Sequence, residues 1–254
     1  MEHTNFYDYM FKRKSVRKYN MVSIDQSMLD KISGHIETLK PMYSDIKVKM
    51  SVVLPDTIKN MVPTKIPYYI AVYSEKKEGY LTNAGFMLQQ MDLFLSANGI
   101  GSCWMGMTKP SKKSQEYKNY EYVIAMAFGM PDEPLYRKNI FEFSRKTIQN
   151  ISNISGESDM NSIIEAARVA PSAVNGQPWY FKVSDGMIHA YCIKPNVIKA
   201  ITMKNLNKID MGIALCHIWT ALKHEGKDAD FVQDEEAEKN APSGYYYIAS
   251  VKAV

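Results

Sequence analysis

Hydrophobic and polar positions along the chain fall into two successive series of the same kind. In the first, Met28, Ile32 and Ile36 recur at helical spacing, which predicts a helix with one apolar face. Ser23-Ile24-Asp25-Gln26 ahead of it reads as a capping box, the Ser hydroxyl and the Gln side chain each satisfying a backbone N–H. Residues 47–52 alternate and predict a half-exposed strand, and residues 68–73 are apolar throughout and predict a strand inside a sheet. Residues 84–97 are apolar on nearly every side, as in a helix buried from several directions, with Gly99 suited to end it in the left-handed conformation. Residues 122–128 predict another buried strand, stopped by Gly129 and Pro131.

The second series repeats this order. Residues 161–169 predict a helix with Ile163, Ile164 and Ala167 inward. Residues 179–183 and 187–193 predict two strands joined at Asp185-Gly186, the strongest hairpin signal in the chain. Residues 210–223 form the second apolar helix, 234–239 a charged surface segment and 245–251 a closing strand.

The repetition extends to residue identities. Phe11-Lys12-Arg13-Lys14-Ser15-Val16-Arg17 recurs as Phe143-Ser144-Arg145-Lys146-Thr147-Ile148-Gln149. Met28 and Ile32 fall at the same distances as Met160 and Ile164, and the interval from Gly85 to Gly99 equals that from Gly212 to Gly226. Tyr122-Val123-Ile124-Ala125 is echoed by Tyr246-Tyr247-Ile248-Ala249. Two similar halves, 1–140 and 141–254, are expected in one polypeptide. The join at 148–159 is Ser/Asn-rich without being a low-complexity linker, so the halves are expected to pack as one unit.

Composition narrows the class. At 254 residues, 46% hydrophobic and 23% charged, the chain has an ordinary globular make-up and can bury a good core. No apolar run is long enough to span a bilayer, and the start, residues 1–9, is polar and aromatic without a signal-peptide block. Cys103, Cys192 and Cys216 form no C-x-x-C pair and are odd in number. A disulfide framework and a metal site are not expected, and a reducing cytoplasm is. The net charge of +4 is mild and fits a small anionic ligand as readily as a weak nucleic-acid preference.

Three segments carry candidate chemistry. In an extended stretch Arg13, Ser15 and Arg17 project to one side. Two guanidinium forks and a hydroxyl suit a phosphate, although a generic basic surface run looks the same from this segment alone. The second copy has Gln149 in place of Arg17. Ala170-Pro171-Ser172-Ala173-Val174-Asn175-Gly176-Gln177-Pro178-Trp179 sits between a helix and a strand. Small residues admit a planar ligand, and the amides of Asn175 and Gln177 match the mixed edge of a heteroaromatic ring. A Pro-bounded turn explains the Pro and Gly but not the two amides, and the first copy has Lys40-Pro41-Met42-Tyr43-Ser44-Asp45 there. Gly99-Ile100-Gly101-Ser102-Cys103-Trp104-Met105-Gly106 reads as a Gly-rich loop with backbone N–H groups free for a ligand, or as a helix cap followed by a core Trp.

At these segments the chain resembles the FMN-dependent nitroreductase family, whose marks are an Arg-x-Ser-x-Arg-x-aromatic start, an Ala-Pro-Ser-x-x-Asn-x-Gln-Pro-Trp loop and a Gly-Leu-Gly-Ser-Cys-Trp-like loop. Here they read as residues 13–19, 170–179 and 99–104, and Ala127-Phe128-Gly129-Met130-Pro131 is similar to the family's strand-end motif. The order differs: the usual chain has the Asn-x-Gln-Pro-Trp loop before the Gly-rich one. Family members are entwined homodimers, so the resemblance implies two fused subunit-like halves with one flavin site kept, as in a fused branch of the family. It implies an α+β fold with a mainly antiparallel sheet or sheets flanked by helices and two half-domains related by a pseudo-two-fold duplication.

For the site, the resemblance implies that Arg13, Lys14, Ser15 and Arg17, helped by Arg137 or Lys138, hold the FMN phosphate and ribityl chain. Pro171, Ser172, Ala173, Asn175 and Gln177 would line the isoalloxazine. Trp104, Met105 and Gly106 would pass beneath the ring with a backbone N–H near the flavin N5. The implied reaction is ping-pong hydride transfer from NADH or NADPH to a small acceptor, nitroaromatic or quinone-like, with no catalytic side chain of the protein's own. A monomer with one FMN is expected. The alternatives are a non-catalytic flavin or nucleotide binder acting as store or sensor, and an anion or nucleic-acid binder using residues 12–18, which would bind in a steeply salt-dependent way.

Overall fold

A computed structural model of the chain describes residues 6–62, 64–115, 117–156, 158–194 and 200–254. The N-terminal reading is therefore outside the described residues over 1–5. The chain divides into two compact units, Met1–Ile140 and Phe141–Val254.

In the first unit a short helix α1 (Phe6–Met10) precedes α2 (Gln26–Ile36). The cap of α2 corrects the sequence reading. Asp25, not Ser23, is the N-cap, its carboxylate accepting from Met28 N at 2.9 Å, while Gln26 reaches forward to Asp30. Four strands, β1 (Val48–Val53), β3 (Tyr68–Ser74), β4 (Gly101–Met105) and β6 (Glu121–Gly129), make an antiparallel sheet in the order β1-β3-β6-β4. Between β3 and β4 runs α3 (Tyr80–Ala97), one turn longer at its start than the apolar pattern indicated and buried along almost its whole length. Gly99 follows at φ 78°, the left-handed geometry that closes a helix without a Cβ clash. Two short strands, β2 (Ile58–Asn60) and β5 (Thr108–Pro110), pair as a flap. Tyr69, Tyr73, Ala71, Ala125 and Ala127 of the sheet share a buried cluster with Ile58 of that flap and with Val16 and Tyr19.

The second unit is built to the same plan. A single turn α4 (Ile148–Ile151) leads to α5 (Asn161–Arg168), whose Ile163, Ile164, Ala166 and Ala167 are buried. Strands β7 (Trp179–Ser184) and β8 (Met187–Ile193) form the expected hairpin, with Asp185 at φ 52° and Gly186 at φ 72°, as a tight two-residue turn requires. Helix α6 (Ala200–His224) begins ten residues before the apolar run that signalled it. Strand β9 (Ala229–Val232) follows, then α7 (Glu235–Lys239) capped by Asp234, and β10 (Tyr245–Ala253). The sheet order is β7-β8-β10-β9, antiparallel throughout.

The two sheets therefore share one topology: the second strand is followed by a buried helix, and the fourth strand returns between the second and third. The register agrees as well. Ala71 faces Ala125 in the first unit and Ala190 faces Ala249 in the second. One residue of the fourth strand is skipped in each pairing, Val123 and Ile248, a bulge that sharpens the local twist.

Candidate functional site

The Arg13–Arg17 segment is a rib laid along the edge of the first sheet. Ser15 bridges Ser102 of β4 in parallel, Val16 N donates to Ser102 O at 2.8 Å, and Arg13 bridges Tyr136 on the other side. Arg13, expected to help grip a phosphate, is not at the surface. It is 1% exposed, and its Nε lies 2.9 Å from Oδ2 of Asp92, a fully buried carboxylate on α3. Asp92 also accepts from Ser102 Oγ and from Gln89 Nε2. A charge this deep is tolerated only when paired and hydrogen-bonded, so the apolar helix carries its one carboxylate to meet Arg13. The alternation along the segment does hold: Arg13 Nη2 reaches Ser15 Oγ at 3.4 Å.

Outward of this pair the segment is cationic and accessible. Arg17 and Lys18 are exposed and Lys14 is half-buried. Glu133 fixes the backbone beneath them, one carboxylate oxygen accepting from Arg17 N at 2.6 Å and Lys18 N at 3.2 Å, with Lys14 Nζ 3.7 Å from the other. Burial opposes the Glu133 charge, but these N–H groups and the nearby lysines outweigh it and hold the group below its ordinary value. Arg137 donates from its guanidinium to the Arg13 carbonyl, and its N–H donates to Lys12 O at 2.8 Å, so it braces the rib; Lys138 is exposed beside it.

The third segment is also corrected. Gly101–Met105 is strand β4, not a loop, because its backbone pairs with β6 from Gly101↔Gly129 to Met105↔Ala125. Gly101 serves close packing: a Cβ there would lie 2.7 Å from Val16 Cγ1. Trp104 Nε1 is buried with no hydrogen-bond partner among the described residues, and Gly106 sits exposed in the turn between β4 and β5. Burial raises the Cys103 thiol, with Arg17 and Arg13 pulling the other way.

In the second unit the recurring motif and the amide loop hold each other. Arg145 Nη1 donates to Asn175 Oδ1 at 2.6 Å, and its Nε and Nη2 donate to Ala170 O and Val169 O at 3.1 and 3.3 Å, the carbonyls at the end of α5. A cation is favoured there by the helix dipole. Lys146 N donates to Gln177 Oε1 at 2.7 Å and Lys146 Nζ to Gln177 O at 2.9 Å; burial lowers the lysine pKa. Asn175 Nδ2 donates to Ser144 O and Gln177 Nε2 to Asn175 O. The amides expected to read a ring edge are thus engaged within the unit, and Gln177 is buried. Arg145 and Lys146 thus hold this loop, a task the phosphate reading of the motif did not include. Val174, Asn175 and Gln177 sit at φ 47°, 55° and 47°, strained for non-glycine residues, with Val174 86% exposed. Ala173 N donates to Asp210 on α6. Pro171 is buried, and Ser172 accepts from Gln177 N at 3.0 Å.

A cavity of about 250 Å³ in the first unit lies between β1, β3 and the flap, lined by Val53, Ile58, Ala71, Tyr73, Lys113 and Tyr117 among others. It contains none of the three segments. No helix among the described residues is long and apolar enough to cross a membrane, and no group of three His, Cys, Asp or Glu side chains there could hold a metal ion.

Antiparallel sheets flanked by helices, with a basic rib on one sheet edge and a strained amide loop ahead of another, define a nitroreductase-type α+β fold. The chain belongs to the nitroreductase family described as "Putative TM nitroreductase", whose model matches residues 5–222. A crystal structure of a Thermotoga maritima protein described as a "putative nitroreductase" superposes with a TM-score of 0.66 at 20% identity, covering 100% of this chain and 95% of that one. A nitroreductase family protein of Clostridium difficile 630 aligns at 16% identity and TM-score 0.47 over 62% of this chain and 99% of its own. A Bacteroides fragilis nitroreductase with bound FMN aligns at 14% identity and TM-score 0.41 over 55% of this chain and 95% of its own. No curated protein matches the sequence.

Proposed function

We propose that this chain is an FMN-dependent oxidoreductase that passes a hydride from NADH or NADPH to a small oxidised acceptor of the nitroaromatic or quinone class by a ping-pong mechanism. Membership of the nitroreductase family over 5–222 carries the reading. The flavin, when bound, supplies the hydride-accepting N5, which is why the chain needs no acid or nucleophile of its own.

The residues fit such a group, with roles divided differently from the sequence reading. Arg17 supplies the accessible fork for a phosphate and Lys14 a second charge, with Lys138 and Ser15 beside them; Arg13 and Arg137 hold the rib. Along β4 alternate residues turn their backbone groups to the same side. Ser102 turns its carbonyl outward to Val16, so Trp104 turns its N–H to that outer edge. We assign this N–H to the flavin N5, with Met105 and Gly106 continuing the surface. In the second unit, Pro171, Ser172, Ala173 and Asn175 offer loop backbone to the ring, and buried Gln177 keeps that loop in shape.

The shared sheet topology supports an origin by fusion of two subunit-like halves, and with it a monomer carrying one FMN. Three free, buried cysteines are in keeping with a reducing cytoplasm. The test is purification followed by absorption spectroscopy, FMN titration to its end point and turnover with NADH and NADPH against nitroaromatic and quinone acceptors. One flavin per chain and acceptor-dependent oxidation are expected. A protein that takes up no FMN sinks the proposal; tight FMN with no turnover on any acceptor would favour the store or sensor.

A further inference from the structure

Asn83 on α3 and Asp210 on α6 stand at matching places, each two residues before a helical glycine, Gly85 and Gly212, and both are buried. They do the same work. Asn83 Oδ1 accepts from Met42 N at 2.8 Å and Tyr43 N at 2.9 Å, in the loop after α2. The Asp210 oxygens lie 3.0 and 3.2 Å from Ala173 N, in the loop after α5. An amide holds a loop N–H without any charge. The unit that carries the amide loop uses an ionisable group instead, at a point where burial penalises ionisation.

We propose that Asp210 is a positioning residue whose charge state sets how Ala173 is held, and through it how the 172–177 loop is presented to the flavin. The inference rests on the reading of that loop as part of the flavin site. The coupling is short. Ala173 O accepts from Gly176 N at 2.9 Å, and its neighbour Ser172 takes Asn175 N and Gln177 N at 3.0 Å each. A shift at Ala173 therefore moves the strained residues directly. Burial pushes the Asp210 carboxyl up to about 8, the Ala173 N–H pulling the other way. Among the described residues Cys192 on β8 faces it, and Tyr246 on β10 and Lys208 on α6 act on that thiol; Arg145 and Lys146 approach the loop through Asn175 and Gln177. Burial raises the Cys192 thiol to about 11 and the Tyr246 phenol further, so both stay neutral while Asp210 titrates.

The experiment is amide NMR of the full chain, with the Asp210 carboxyl carbon followed alongside, from about pH 6 to about pH 10, with FMN affinity measured in parallel. Wild type is compared with Asp210→Asn, which copies Asn83. In wild type the Ala173 amide and the Asn175 and Gln177 side-chain amides are expected to move with one midpoint near 8, and FMN affinity to change by about threefold or more across it; in Asp210→Asn all are flat. Loop signals that ignore the Asp210 carboxyl midpoint in wild type overturn the proposal even if the variant does not fold. Loop signals that titrate while FMN binds with pH-independent affinity also overturn it. Titrating loop signals in a protein that binds no FMN would sink the flavin reading and leave Asp210 as the loop's positioning residue.

Discussion

Arg13 and Asp92 form an ion pair 2.9 Å long with both side chains at or below 2% exposure, and this pair anchors the basic rib to the buried helix α3. Removing one partner leaves an uncompensated buried charge. Asp92→Ala is expected to lower stability by about 3–5 kcal/mol, read as a fall in the urea midpoint. Ser102→Ala, which deletes one donor to Asp92 and leaves the pair, is expected to cost about 1 kcal/mol. Equal losses from the two would contradict the importance given to the pair.

Arg17 stands at the opposite extreme. It is exposed, among the described residues its guanidinium makes only a long hydrogen bond of 3.5 Å to Ser15 O, and its backbone N–H is what Glu133 holds. Arg17→Ala is therefore expected to leave the urea midpoint within about 0.5 kcal/mol of wild type. FMN affinity in a fluorescence titration should fall by about ten- to a hundredfold, the worth of one charge-assisted hydrogen bond to phosphate. Unchanged affinity would remove Arg17 from the proposed grip.

How much of this could be read from the chain depends on range. Signals local in sequence were legible. Asp185-Gly186 gave its hairpin, the apolar run gave α3, and the paired motifs anticipated two sheets of one topology. Features set by distant partners were not. The positive charge of Arg13 says nothing of Asp92, 79 positions away by the numbering; the available signal was a lone carboxylate in an otherwise apolar helix. Gly101 looked like loop material because its reason, the closeness of Val16, comes from a segment far back in the chain. The amides of Asn175 and Gln177 looked free because their partners, Ser144, Arg145 and Lys146, are 30 or so residues earlier.

Glu133 gives a pH dependence on the acid side. Its folded-state value is held below the ordinary carboxylate, so the stability it contributes is fully present above its unfolded value, about 4.3, and is lost as pH falls through the folded one. Urea unfolding from about pH 6 down to about pH 3 should show wild type losing more stability than Glu133→Gln, the two curves converging at the acid end. Parallel curves would mean that the Arg17 and Lys18 N–H groups do not favour the charged form.

Val174 tests the strain in the amide loop. A β-branched residue at φ 47° is poorly placed, and with 86% of its surface exposed it has little packing to lose. Val174→Asn, a residue type that visits the left-handed region readily, is expected to raise stability by about 1 kcal/mol in thermal unfolding. A destabilised variant would show that the valine side chain contributes contacts that outweigh the strain.

Two glycines make opposite predictions from one substitution. A Cβ on Gly101 would meet Val16 Cγ1, Cβ and Cγ2 at 2.7, 2.8 and 3.0 Å. Val16 is wholly buried and β-branched, so it has no free end to swing aside, and the rib must lift from the edge of β4. Gly101→Ala is expected to cost about 1–3 kcal/mol, the price of overpacking. Because Ser15 and Val16 are the residues that tie the rib to β4, it should also weaken FMN binding. Gly34 lies inside α2 with nothing within 4 Å of an added Cβ. There alanine only removes backbone freedom from the unfolded chain and improves helix propensity, so Gly34→Ala should gain about 1 kcal/mol and leave FMN affinity untouched. A Gly101→Ala melting curve displaced upward like that of Gly34→Ala would mean that Gly101 is tolerated for flexibility and not required for the closeness of Val16.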